Sequence, residues 1–146
     1  TQRPTTRDAL RVLVVDDTRL YRKLLSDILS AMDGVEVVGT AENGQAALDK
    51  IVQLRPDLLT LDVEMPTMDG LETLRKLHGT MAQMAVVMVS AHTVHGAKIT
   101  MQALELGAFD FITKPEGGGL SDNVTHIRNQ LRVALSVSHK LGHGCL

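Results

Sequence analysis

Cysteine is nearly absent from this chain: the single one, Cys145, stands beside the last residue. One thiol cannot build a disulfide framework, so a reducing compartment is the expected setting. A basic excess is absent too, since 15 lysines and arginines face 17 aspartates and glutamates for a net charge of −2. That balance argues against the broad positive footprint of a nucleic-acid-binding protein. No apolar run reaches the length that spans a bilayer, and no signal-peptide pattern opens the chain. A cytoplasmic protein with no nucleic-acid partner and no membrane insertion is therefore expected. The chain begins at Thr1 rather than methionine, which suggests a trimmed or processed fragment.

Three glycine signatures are also missing. No glycine fingerprint follows the first apolar run, so dinucleotide binding is disfavoured. Gly117-Gly118-Gly119 lacks the Gly-Lys-Ser/Thr ending of a phosphate loop and reads as a flexible connection. No G-x-S-x-G elbow marks a serine hydrolase.

What is present is a core: 44% of the 146 residues are hydrophobic, enough for one domain without metals or bridges. The centre of the pattern is Pro56-Asp57-Leu58-Leu59-Thr60-Leu61-Asp62-Val63-Glu64-Met65-Pro66. A short, continuous apolar run between prolines predicts a strand buried on both faces, ending at the carboxylate of Asp62. Leu10 to Val15 predicts another, ending in Asp16-Asp17. Val35 to Gly39, Ala85 to Val89 with Ser90 at its exit, and Ala108 to Ile112 leading into Thr113-Lys114-Pro115 complete the strands. Between them, apolar residues recur at helical spacing. The stripes are Leu20, Leu24, Leu25, Ile28, Leu29 and Met32; Ala47, Leu48, Ile51 and Val52; Leu71, Leu74 and Leu77; Val94, Ala97, Met101 and Leu104; and Val124, Ile127, Leu131 and Ala134. Alternation of this kind predicts an α/β fold, a doubly wound five-stranded parallel sheet. Residues 1–9 read as a lead-in, 10–137 as the domain, and 138–146 as a tail or the start of a linker.

In a parallel sheet every strand exit falls on one edge. That edge would gather Asp16, Asp17, Asp62, Ser90 and Lys114. Two like charges about 4 Å apart repel by roughly 4 kcal/mol at an effective dielectric near 20, so the carboxylates call for a cation. Oxygen ligands favour Mg²⁺, which takes one or two carboxylates and keeps several waters. With that charge and Lys114 neutralising phosphoryl oxygens, an aspartate could attack phosphorus and become an aspartyl phosphate, with Ser90 bonded to the transferred group.

These residues carry a resemblance. Val12-Leu13-Val14-Val15-Asp16-Asp17, Leu61 to Pro66 with Met68-Asp69-Gly70, Met88-Val89-Ser90-Ala91 and Lys114-Pro115 resemble a response-regulator receiver domain over about Leu10 to Ala134. The resemblance implies a flavodoxin-like (βα)5 receiver fold with Asp62 as phosphoacceptor. It implies Mg²⁺ held by Asp16, Asp17, Asp62 and the main-chain carbonyl of Glu64. Ser90 and Lys114 would assist catalysis, Ser90 and Phe111 would form the switch, and a cis peptide would precede Pro115. Phenylalanine at the switch position lacks the hydroxyl that many relatives carry on tyrosine.

Thr60 to Pro66, Val86 to Ser90 and Ala103 to Phe111 are similar, more narrowly, to the N-terminal regulatory domain of chemotaxis protein-glutamate methylesterase. That likeness implies a chemotaxis histidine kinase as donor and a C-terminal methylesterase domain, not in this chain, as output. It implies chemoreceptors as indirect partners. Two alternatives stand beside it. One is a stand-alone receiver, or the receiver of an adaptor or transcription regulator. The other is a haloacid-dehalogenase-like phosphatase, which would need an aspartate where Glu64 stands.

Several residues fall outside this scheme. His92 is expected at the pocket mouth; His92 and His95 have no third ligand for zinc, and His139 and His143 read as part of a solvated tail. Tyr21 and Arg22 are expected near the acidic pocket, solvated or touching a kinase. Val94 to Leu106 with Phe111 is the expected output surface.

Overall fold

The β3 sequence Leu58–Asp62 is buried at every position and lies at the centre of the sheet. The computed structural model describes residues 9–78, 84–91, 96–115 and 119–143. In chain order these form β1 (Leu10–Val15), α1 (Arg19–Ser30), β2 (Val35–Ala41), α2 (Gly44–Leu54), β3, α3 (Gly70–Leu77), β4 (Ala85–Ser90), α4 (Gly96–Glu105), β5 (Asp110–Thr113) and α5 (Leu120–His143). The strands stand in the order β2-β1-β3-β4-β5, all parallel. This is the flavodoxin-like order, whose switch point lies between β1 and β3.

Side chains alternate across each strand, so one sheet supports two cores. Val12, Val14, Leu58, Val87, Val89 and Ile112 face the α1 and α5 residues Leu25, Ile28, Leu29, Ile127, Leu131 and Ala134. Leu13, Val15, Leu59, Leu61, Val86 and Met88 face Ala47 and Ile51 of α2, Leu74 and Leu77 of α3, and Ala103 of α4. Each fully buried leucine or valine contributes about 1.5–3 kcal/mol over an exposed one, so a one-residue slip of any strand would exchange the two cores at large cost.

Polar side chains set the helix starts. Thr18, Asn43 and Asp69 cap α1, α2 and α3 by accepting main-chain N–H bonds from Tyr21, Ala46 and Glu72. Helix α2 stops at Arg55, which takes the left-handed conformation (φ 48°) just before Pro56. None of the helices among the described residues is long and apolar enough to cross a membrane.

The edge strand β5 is held in an unusual way. The Gln130 side chain of α5 accepts from the Thr113 N–H at 3.1 Å and donates to the Thr113 carbonyl at 2.9 Å. The Phe111 N–H is taken by the Asp110 carboxylate at 2.7 Å. At the opposite edge, the Lys50 ammonium donates to the Thr40 carbonyl of β2.

Some expectations shift. Leu20 and Val52 are 69% and 71% exposed. The true stripe of α1 starts at Tyr21, and Val52 lies about 100° round the helix from the buried Ile51. On α4 the inward residues are Ile99 and Ala103, followed by Leu106 just past its end, and Met101 and Leu104 point outward. Strand β5 starts at Asp110, not Ala108, because Gly107 (φ 102°) and the Ala108 N–H to Ala103 carbonyl bond are used to close α4. Strand β2 runs on to Ala41, with a register shift against β1 that leaves Val38 unpaired. Helix α5 continues to His143, through most of the segment expected as a tail or the start of a linker. Val94, His92, His95, Gly117, Gly118 and Cys145, and the side chains of Ala97, His139 and His143, lie outside the described residues.

Candidate functional site

All the predicted exit residues meet at the carboxyl edge of the sheet. Asp16, Asp62, Ser90 and Lys114 are buried there, while Asp17 faces solvent. Asp16 follows β1 and is fixed by its neighbours. Its Oδ1 accepts the Thr18 N–H and the Thr18 hydroxyl, both at 2.9 Å, and its carbonyl accepts from the Arg22 guanidinium at 2.9 Å. Its Oδ2 forms an ion pair with the Lys114 ammonium at 2.8 Å.

Asp62 ends β3, with 3% of its surface exposed. Its Oδ2 is 3.6 Å from the Lys114 ammonium and its Oδ1 accepts the Glu64 N–H at 3.3 Å. Burial first, then the Asp16 charge, pushes the Asp62 carboxyl up to about 7, against the opposing pull of Lys114. A carboxylate this crowded by a like charge gains from any cation that joins the cluster.

The backbone behind Asp62 leaves no slack. A Cβ on Gly70 would lie 2.3 Å from the Asp62 carbonyl oxygen, so only glycine lets α3 begin there. Between them, Thr67 has φ 71° and the Met68 N–H donates to the Pro66 carbonyl at 2.8 Å. That is a γ-turn of the strained hand, on a β-branched residue in the loop between β3 and α3.

Lys114 follows β5 and reaches back across β4 and β3. Its N–H donates to the Ser90 carbonyl at 2.8 Å, which pins the start of the lysine to the end of β4. The expected cis peptide before Pro115 is not found: among the described residues every peptide bond is trans. Trans is the lower-energy form for most X–Pro bonds, and with it Lys114 already spans to Asp16. Phe111 pairs in register with Met88 and is half-buried against the α2–α3–α4 core, so the expected switch residues lie on adjacent strands, with Ser90 opposite Thr113.

Carboxylate oxygens of Asp16, Asp17 and Asp62 all lie within 4.8 Å of one another. Two buried donors and one facing solvent suit a hard cation that keeps part of its water shell, as Mg²⁺ does. The clustered carboxylates and the raised Asp62 carboxyl both fit such an ion.

Sequence reasoning undervalued Tyr21 and Arg22. The Lys114 ammonium stands 4.2 Å from the centre of the Tyr21 ring, and Arg22 bonds the Asp16 carbonyl. The available signal was the α1 stripe: Tyr21 stands four residues before Leu25 and seven before Ile28 on the buried face.

Comparison with known proteins agrees with this geometry. The model of the response regulator receiver domain family matches residues 12–124. The chain is 52% identical over 123 residues to a protein-glutamate methylesterase/protein-glutamine glutaminase of Desulfotalea psychrophila, covering 84% of this chain and 34% of that protein. The Bacillus subtilis protein of the same name is 51% identical over 122 residues, with 84% and 34% covered. The chain thus spans about a third of the length of these curated relatives, 34% in both. Among solved structures, the response regulator domain of Thermotoga maritima CheB superposes with a TM-score of 0.80 at 39% identity, over 90% of this chain and 97% of that one.

Proposed function

This chain belongs to the response regulator receiver domain family, in its protein-glutamate methylesterase branch, and we propose that Asp62 is its phosphoacceptor. The observation that carries the reading is a buried carboxylate at the central strand exit, flanked by a second carboxylate and 3.6 Å from a buried ammonium. An Asp62 oxygen attacks the phosphorus of a phosphohistidine in line with the P–N bond. That bond breaks, its electron pair leaves with the imidazole, and an acyl phosphate remains on Asp62. Lys114 swings its charge from Asp62 to the new phosphoryl oxygens, and Ser90 donates to one of them. Later, water attacks phosphorus, the bond to Asp62 breaks and inorganic phosphate leaves.

Asp16, Asp17, Asp62 and the Glu64 carbonyl would hold Mg²⁺, which when bound supplies positive charge opposite the transferring group. The donor would be a chemotaxis histidine kinase. In the same reading the switch at Ser90 and Phe111 acts on a fused methylesterase domain, and through it on chemoreceptors, with residues 138–146 leading toward that domain. A phosphatase of the haloacid-dehalogenase type is not favoured, since Glu64 stands where its second aspartate would be and faces solvent.

The test is incubation with acetyl phosphate and Mg²⁺, read by intact mass. The wild type gains one phosphoryl mass that disappears on chelation of the metal before donor is added. Asp62→Asn gains none; an adduct of equal yield on that variant would remove Asp62 from the role.

A further inference from the structure

The Tyr21 ring faces the Lys114 ammonium, which stands 4.2 Å from the ring centre. We infer that Tyr21 is a positioning residue for Lys114: its ring holds the ammonium in the pocket while the lysine changes partners from Asp16 and Asp62 to an incoming phosphoryl group. The inference rests on the reading of Asp62 as phosphoacceptor.

The geometry supports it on three counts. First, the lysine stem is long and rotamer-rich, and its two carboxylate partners, at 2.8 and 3.6 Å, both belong to the floor of the pocket. The ring contributes a lateral attraction that does not depend on which anion the lysine faces, because it comes from the π-face. Second, the Lys114 side chain is only 8% exposed. A cation pulled off its carboxylates in such a place would need rehydration unless another favourable surface stays beside it. Third, the ring is registered to the same aspartate as the lysine. Asp16 accepts two bonds from Thr18, Thr18 accepts the Tyr21 N–H at 3.3 Å, and the next residue, Arg22, bonds the Asp16 carbonyl at 2.9 Å. Helix α1 therefore cannot shift without moving ring and acid together.

The composition supplies a probe. The chain has one tyrosine and no tryptophan, so its ultraviolet emission reports Tyr21 alone. Adding beryllofluoride with Mg²⁺ should change that emission in the wild type, and the change should be lost in Lys114→Met, where no ammonium leaves or enters the ring face. In phosphorylation by acetyl phosphate, Tyr21→Leu keeps an apolar side chain but not the π-face and should slow the rate about threefold to tenfold, the size of a partly desolvated cation–π contact. Tyr21→Phe, which restores the ring without the hydroxyl, should recover most of that loss. In the Lys114→Met background the leucine substitution should have no further effect. Equal rates for wild type and Tyr21→Leu would overturn the inference, as would equal losses for leucine and phenylalanine, or an undiminished leucine effect without Lys114. Thermal melts of each variant separate a misfolded helix from a lost contact, and Tyr21→Phe carries the test if leucine unfolds. Absence of any wild-type adduct would instead sink the phosphoacceptor reading.

Discussion

Strand β3 is flanked by two aspartates that do opposite work. At its start, Asp57 is half-buried and its lone pairs meet main-chain donors. Its carboxylate accepts the Arg11 N–H at 2.9 Å, its own N–H donates to the Arg11 carbonyl at 2.8 Å, and its carbonyl accepts from Ala85 at 3.0 Å. It ties the beginnings of β1, β3 and β4 together. At the end of the strand, Asp62 has the opposite surroundings: burial, a second carboxylate and an ammonium that it shares. A carboxylate that accepts a main-chain N–H from the neighbouring strand is a structural clip. One held among unbalanced charges is poised to bind a cation or form a bond.

The contrast can be pressed from both ends. The largest effect belongs to the charge that faces Asp62. Lys114→Ala should slow phosphorylation by acetyl phosphate on the order of 10²-fold, the usual loss when one preorganised positive group is removed from a transferring anion. A rate within a factor of about two of wild type would mean the lysine serves only the ground-state pair.

Next comes a stability effect with a pH signature. The Asp62 carboxyl is raised from 3.8 to about 7 in the fold. Between those values the unfolded chain has released the proton that the folded chain still holds, so metal-free stability falls as pH climbs through that window and levels off above it. Asp62→Asn carries no such charge. Without metal it should be more stable than wild type by on the order of 2 kcal/mol at pH 8, with the difference vanishing near pH 4. Denaturant melts at the two pH values, repeated with saturating Mg²⁺, check it; the metal should shrink the gap by stabilising the wild type. A gap that is independent of pH would break the assignment of strain to Asp62.

The smallest effect is at the other end. Asp57→Ala should cost about 1 kcal/mol, the net worth of a partly buried hydrogen bond to a charged group, and leave the phosphorylation rate unchanged. A phosphorylation defect larger than the stability loss explains would show that the two ends of β3 are coupled.

The sequence distinguished these two aspartates because Asp57 precedes the apolar run, next to Pro56, whereas Asp62 terminates it. Strand exits were legible for the same reason: β-branched runs end where charge begins, and parallel topology then brings the ends together. Helix phase was less legible. Leu20 shares the apolar spacing of α1 yet faces solvent while Tyr21 packs inward, and Met101 and Leu104 share that of α4 yet point outward. Spacing gives the width of a stripe, but the sheet beneath decides which edge of it is covered. The peptide before Pro115 was not legible at all, because both isomers of a proline bond differ by less than the surrounding contacts contribute.

The Gln130 amide has a consequence for how the molecule behaves among its own copies. An unpaired sheet edge is a template on which a second chain can dock its backbone, the first step toward filaments and precipitates. Here Gln130 acts as a stub of a further strand, filling both main-chain groups of Thr113, and Asp110 closes off Phe111. On the other rim the Lys50 ammonium occupies the Thr40 carbonyl of β2, so each outer strand has at least one main-chain group already taken by a side chain before a second chain could reach it.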